Sequence, residues 1–231
     1  MPPEAGTRRP RALLAWSGGK DAAWALQVMR EQGEVEVCGL LSTITEGDDR
    51  ASMQGLRVEI LRAQAAAAGL PLVECRLPRN CDNTRYEARF SAALDEARAR
   101  WPGIDRIAFG DLQLADIRAW REALTARLGW TPMFPLFGAD TATLARTMVD
   151  RGLRASLCCV DTTRLPVTFA GRPFDAALLD ALPPGVDPCG EAGEFHTCVQ
   201  AGPMFDAPVD VTPGALIRDG VYARTDFVLG A

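Results

Sequence analysis

The stretch Arg11-Ala12-Leu13-Leu14-Ala15-Trp16-Ser17-Gly18-Gly19-Lys20-Asp21-Ala22-Ala23-Trp24 joins an apolar run, a glycine pair and the start of an amphipathic segment. Residues 11–16 read as a buried strand, and residues 21–32 as a helix that stops at Gly33. Two adjacent glycines let the backbone turn tightly and aim its N–H groups at a ligand, while the helix start adds a positive dipole end. Ser17 contributes a hydroxyl and Lys20 a mobile positive charge, so Ser17, Gly18, Gly19, Lys20, Asp21 and Ala22 together make a nest for phosphate oxygens. The spacing fits neither the Walker loop nor the dinucleotide fingerprint. A plain strand-to-helix turn, with Asp21 as N-cap and Lys20 solvated, is the competing reading of the same residues.

Outward from this stretch the chain alternates. Residues 35–41, 70–76 and 104–109 read as strands, and residues 53–68, 83–100 and 115–128 as helices. Such alternation predicts an α/β fold, a Rossmann-like parallel sheet with helices on both faces and ligands at the carboxyl ends of its strands. After Gly129 the texture changes. Pro132, Pro135 and Gly138 interrupt the pattern, a helix (141–151) and a strand (155–160) follow, and short strands at 199–211 and 221–229 lie among turns. The expected division is a nucleotide-binding α/β domain over 1–129 and a smaller mixed α/β domain over 130–231.

Composition narrows the partners. The 231 residues are 48% hydrophobic and 24% charged, which suits a soluble chain with a real core, and the formal charge of −5 offers no basic surface for a polyanion. Nucleic acid is therefore not an expected partner. The apolar run before Ser17 is too short for a signal-peptide core, and no later run has the ~18 apolar residues of a membrane span. Seven cysteines, odd in number and without a C-x-x-C pair, read as reduced thiols in a cytoplasmic protein, not as a disulfide framework or zinc site. No residue is assigned as a metal ligand. Of the 25 cationic residues Lys20 is the sole lysine, and a compact ammonium is not interchangeable with a guanidinium fork.

A second constellation lies at Cys189-Gly190-Glu191-Ala192-Gly193-Glu194-Phe195-His196-Thr197. Gly190 and Gly193 place Glu191 and Glu194 on a loop that can approach a ligand, where carboxylates hold Mg²⁺, position an ammonium or accept a proton. A glycine-rich turn with solvated glutamates and a structural His196, the only histidine, is the alternative.

Ser17-Gly18-Gly19-Lys20-Asp21 resembles the S-G-G-K-D-S signature of the PP-loop ATP pyrophosphatases, the HUP-type adenine nucleotide alpha hydrolases. The segment from Cys189 to Thr197 is similar to the C-G-E-x-G-E-[FY]-x-T motif of the diphthine-ammonia ligase (diphthamide synthase) branch of that superfamily. Gly202-Pro203-Met204-Phe205, Phe109-Gly110-Asp111-Leu112, Pro135-Leu136-Phe137 and the Asp116-Ile117-Arg118-Ala119-Trp120-Arg121-Glu122 helix resemble further stretches of the branch, so the likeness runs over about 11–206. Two positions depart from it: Ala22 stands where the family has Ser, and Gln54 where similar chains have His.

The resemblance implies ATP-dependent amide formation. A carboxylate attacks the α-phosphate, pyrophosphate leaves into the 17–22 nest with Mg²⁺, and ammonia displaces AMP. It implies Lys20, Glu191 and Glu194 as catalytic residues, Ser17, Gly18, Gly19, Lys20, Asp21 and Ala22 around the phosphates, and Ser42, Gly110 and Asp111 at the edge of the adenosine pocket. The partners implied are a carboxylate-bearing protein or small-molecule acceptor and ammonia from solution or a partner; in the archetypal branch the acceptor is a modified histidine on translation elongation factor 2. A PP-loop tRNA-modifying enzyme is the competing class, disfavoured by the acidic balance. An ATP- or AMP-binding regulator with weakened catalysis is the other, supported by Ala22.

Overall fold

The structure, a computed structural model, describes residues 9–230. In chain order its first layer comprises β1 (Arg11–Ala15), α1 (Lys20–Gln32), β2 (Glu36–Thr45), β3 (Arg50–Ala51), α2 (Val58–Ala67), β4 (Leu72–Leu77), α3 (Asn83–Arg100), β5 (Arg106–Ala108), α4 (Ala115–Arg127) and β6 (Thr131–Met133). β4, β2, β1, β5 and β6 lie side by side in that order, all parallel, and β3 folds back antiparallel on β2. The winding reverses between β1 and β5, and open α/β sheets take ligands at such a switch point. The loop after β1 and the segment after β5 therefore flank one crevice.

Alternation along β1 puts Ala12 and Leu14 in one core and Leu13 in the other. The first core packs with α1 and α2 and the second with α3 and α4, so helices cover both faces, as the sequence pattern predicts. Local signals set the helix ends. α1 stops at Gly33, left-handed at φ 63°, and α3 starts where the Asp82 carboxylate accepts the Arg85 N–H.

α5 (Thr141–Asp150), β7 (Arg154–Asp161), α6 (Ala176–Ala181), β8 (Phe195–Ala201), β9 (Val211–Asp219) and β10 (Tyr222–Leu229) form the rest. The four strands make an antiparallel sheet in the order β8-β7-β10-β9. Its inner residues Leu157 and Val199 share one core with Trp24 and Leu26 of α1, so apolar packing is continuous between the two sheets. No helix among the described residues is long and apolar enough to cross a membrane.

Several element assignments need correction. Residues 53–68 are not one helix: β2 runs on to Thr45 and turns into β3, and Gly55 at φ 70° lies outside helical backbone, so α2 starts at Val58. Ser42 accordingly sits inside β2, not at its end. Residues 199–211 are not one strand either, because β8 ends at Ala201 and a turn segment containing Pro203 and Pro208 precedes β9. β6 was not anticipated: it holds Pro132 at the sheet edge, where a missing N–H is tolerated, and it carries the first sheet to Met133. The N-cap of α1 is Gly19, and Asp21 lies in the first turn.

Candidate functional site

β1 delivers Ser17, Gly18, Gly19 and Lys20 to the crevice. Gly18 is left-handed at φ 79°, and a Cβ there would stand 2.7 Å from Leu61 and 2.8 Å from Gln64, so only glycine fits. The Gly19 N–H donates to Ser17 Oγ at 3.3 Å. The other side of the loop leans on β8: the Lys20 N–H donates to Thr197 Oγ1 at 3.0 Å, and the Val199 N–H donates to the Gly18 carbonyl at 3.0 Å. Gln64 of α2, fully buried, ties these pieces together. Its amide donates to the Gly18 and Val199 carbonyls at 3.1 and 2.7 Å and accepts from Trp16 Nε1 at 3.1 Å.

Lys20 is neither the mobile charge of the nest reading nor the solvated charge of the turn reading. Its side chain is 2% exposed; the ammonium lies 2.9 Å from Asp21 Oδ2, donates to the Cys189 carbonyl, and faces the Phe195 and Phe174 rings at 5.4 and 5.7 Å. Burial works against this charge, but Asp21 and the surrounding negative groups outweigh it and hold the Lys20 pKa above its ordinary value. Burial pushes the Asp21 carboxyl up, against the pull of Lys20, and Asp21 Oδ1 is buried with no hydrogen-bond partner. Cys189 itself is a buried thiol, pushed up to about 12 by that burial.

The two glutamates follow Cys189 on the same loop. Glu191 Oε1 accepts the N–H groups of Leu112, Gln113 and Leu114 at 3.1, 2.9 and 3.3 Å, which ties the segment leading into α4 to another part of the chain. Burial holds its pKa above the ordinary value, and these three donors offset only part of that rise. Glu194, 1% exposed, accepts the Asp187 N–H at 3.1 Å and the Ala192 N–H at 3.0 Å, with Arg164 at 3.6 Å. The arrangement gives both carboxylates backbone partners and makes them braces of the loop.

Ser42 is buried and donates to the Trp16 carbonyl at 2.6 Å, so it supports the loop from below. Gly110 follows β5, and a Cβ on it would stand 2.9 Å from both Ala22 N and the Asp21 carbonyl carbon; its bare backbone lets β5 close on the first turn of α1. Asp111 pairs with Arg121 Nε at 2.5 Å and Nη2 at 3.3 Å, and that guanidinium lies 4.3 Å from the Phe109 ring. Ala22 is buried against the core. His196 is half-buried on β8, and burial together with the Lys20 and Arg224 charges pushes it down to about 4.

The structure brings Lys20, Asp21 and the Cys189 to Glu194 loop together, and Gly110 against Asp21 and Ala22, while Ser42 lies beneath the loop and Asp111 is engaged by Arg121; three supporting residues were not anticipated. Thr197 closes the second motif and holds the Lys20 N–H; its place in the motif was visible, its partner was not. Asp187 accepts the Cys189 and Glu191 N–H groups at 2.8 and 3.2 Å and the Thr141 hydroxyl at 2.6 Å. Gln64 had one available signal, a polar residue on the same helical stripe as the buried Ile60 and Leu61.

A glycine-rich loop after the first strand of a doubly wound sheet, at its switch point, defines a Rossmann-like nucleotide-binding protein of the PP-loop type. The chain belongs to the diphthamide synthase family: the model of the diphthamide synthase N-terminal domain matches residues 10–132, and that of the diphthamide synthase C-terminal domain matches residues 140–222. A comparison with curated proteins gives no match.

Proposed function

We propose that this protein is an ATP-dependent ligase of the diphthine-ammonia ligase kind, which activates a carboxylate as its adenylate with release of pyrophosphate and then transfers ammonia to it. The observation that carries the reading is the hydrogen bond from the Lys20 ammonium to the Cys189 carbonyl, which sets the glycine loop and the second motif against each other at the switch point. ATP supplies the electrophilic phosphorus and the pyrophosphate leaving group, and Mg²⁺ screens their charge. The residues present suit both. Asp21 and Ala22 lie in the first turn of α1, where N–H groups have no intrahelical partner, and the unpartnered Asp21 Oδ1 is a hard oxygen of the kind Mg²⁺ takes beside phosphate oxygens.

In this reading Ser17, Gly18, Gly19, Lys20, Asp21 and Ala22 hold the phosphates, Gly110 and Asp111 border the nucleoside, and Ser42, buried beneath the loop, supports it. Lys20 is the catalytic charge: fixed before the reaction, it stabilises negative charge on the departing group with little reorganisation. Glu191 and Glu194 are positioning residues that hold residues 112–114 and the 187–194 loop against the crevice. Residues 1–129 carry the nucleotide and residues 130–231 the second motif. The acceptor is a protein or small-molecule carboxylate, ammonia comes from solution or a partner, nucleic acid takes no part, and the reaction belongs to the cytoplasm.

The test is pyrophosphate release with ATP, Mg²⁺, ammonium and a panel of carboxylates. Release that requires a carboxylate and disappears with Lys20→Met is expected. ATP bound by the wild-type protein with no pyrophosphate released on any carboxylate would overturn the reading in favour of a nucleotide-binding regulator, the alternative that Ala22 supports.

A further inference from the structure

Strand pairing in the second sheet sets Arg224 opposite Cys159 and Cys159 opposite His196, a row across β10, β7 and β8. At one end of the row, Thr197 next to His196 holds the Lys20 N–H. At the other end lies a cavity of about 100 Å³ lined by Arg50, Gln54, Gly55, Asp219, Arg224 and Asp226. Gly55 of this cavity is followed by Leu56, which packs in the core under the glycine loop. A Cβ on Gly55 would stand 3.1 Å from Arg224 Nη1, and a Cβ on Gly18 would stand 2.8 Å from the Leu56 side chain, so one residue of this pair lines the cavity and the next packs on the loop.

The polar groups in the cavity are unequally satisfied. Asp226 is engaged by Arg50 at 2.8 Å and by Arg57 at 2.8 Å, which hold its carboxyl well below the usual carboxylate range. Arg224 forms no ion pair among the described residues, and its Nε is buried with no hydrogen-bond partner. The Gln54 side-chain amide also makes no hydrogen bond among the described residues; only its backbone carbonyl is used, accepting from Cys158 Sγ at 3.7 Å. A buried donor left unpaired is costly, and a planar guanidinium fork matches a carboxylate by two parallel hydrogen bonds.

We infer that this cavity is the docking site of the acceptor carboxylate, held by Arg224 with Gln54 as second donor. The inference rests on the ligase reading for the identity of the acceptor, while carboxylate binding itself needs no ATP. Gln54, one of the two departures from similar chains, then bears on which acceptor is chosen.

The test is an ¹⁵N–¹H titration that follows the Arg224 Nε–H resonance, assigned by its loss in Arg224→Lys, with sodium acetate as the probe and chloride at equal ionic strength as the reference. A saturable shift with acetate and none with chloride is expected, with acetate binding about tenfold weaker in Gln54→Ala, whose exchange on a turn spares the core. No saturable acetate shift overturns the inference, as does inorganic phosphate shifting the resonance at lower concentration than acetate. ATP affinity, measured alongside, is expected to be unchanged in Arg224→Lys and Gln54→Ala; its loss in both would place these residues in the nucleotide site and overturn the inference too. Wild-type protein that binds acetate but no ATP defeats the ligase reading alone, and protein that binds ATP but no acetate defeats this one alone.

Discussion

The Lys20 ammonium and the Cys189 carbonyl, 169 residues apart in sequence, are hydrogen-bonded across the crevice, and Asp21 completes the contact at 2.9 Å. Removing one partner of such a buried pair leaves the other uncompensated, which typically costs about 3 kcal/mol. Lys20→Met is therefore expected to abolish pyrophosphate release and to lower the melting temperature by about 6–12 °C. Lys20→Met combined with Asp21→Asn should recover most of the stability and none of the activity. Thermal melts of both variants beside the pyrophosphate assay check it; an active double variant would remove Lys20 from catalysis.

Glu191 offers a way to separate bracing from proton transfer. Three N–H groups share its Oε1, and a glutamine keeps an oxygen there. Glu191→Gln should retain most activity and stability, whereas Glu191→Ala should lose about 1–2 kcal/mol and much of the activity by freeing residues 112–114. Steady-state rates and urea unfolding of the pair give the comparison, and a dead Glu191→Gln would make this carboxylate a base.

His196 predicts a pH dependence of stability. Its folded pKa is pushed down to about 4 from 6.5 by burial and by the Lys20 and Arg224 charges. Between these values the unfolded chain takes up a proton that the folded chain refuses, so wild-type stability should fall as pH drops from about 6.5 to about 4, by as much as about 3 kcal/mol, and this contribution should level off below. No other histidine is present. His196→Gln should flatten that part of the profile, read as unfolding midpoints in urea at several pH values.

Ala22 is open to a gain. It lies in the first turn of α1, under the bare backbone of Gly110. A hydroxyl there that reaches a phosphate oxygen adds about 1.5 kcal/mol or more, so Ala22→Ser should tighten ATP about tenfold, as measured by calorimetry. Unchanged affinity would mean that the hydroxyl turns into the core.

The parallel sheet was legible because its strands are short apolar runs separated by helices with their own stop signals, as at Gly33 and Gly69. The β2–β3 hairpin was not, since β2 continues through polar Thr43 and Thr45 and the turn before α2 looks helical until Gly55 takes a left-handed conformation. In the site, residue identities were legible and partners were not. Ser17 to Asp21 and Glu191 to Glu194 announce polar chemistry, but spacing alone does not reveal that Glu191 would be drawn to the N–H groups of 112–114 or Lys20 to a carbonyl beyond residue 180. Those choices come from the packing of two sheets on one apolar core, a long-range property.

Gln64 and Thr197 also bear on the order of events during synthesis. The loop after β1 leaves the ribosome early, yet two of its supports, the Thr197 hydroxyl and the Val199 N–H, wait for β8, as does the Val199 carbonyl that holds the Gln64 amide. Translation proceeds at about 5–20 residues per second, so the glycine loop spends on the order of ten seconds without those supports. Capture of a nucleotide by the finished loop therefore waits for β8.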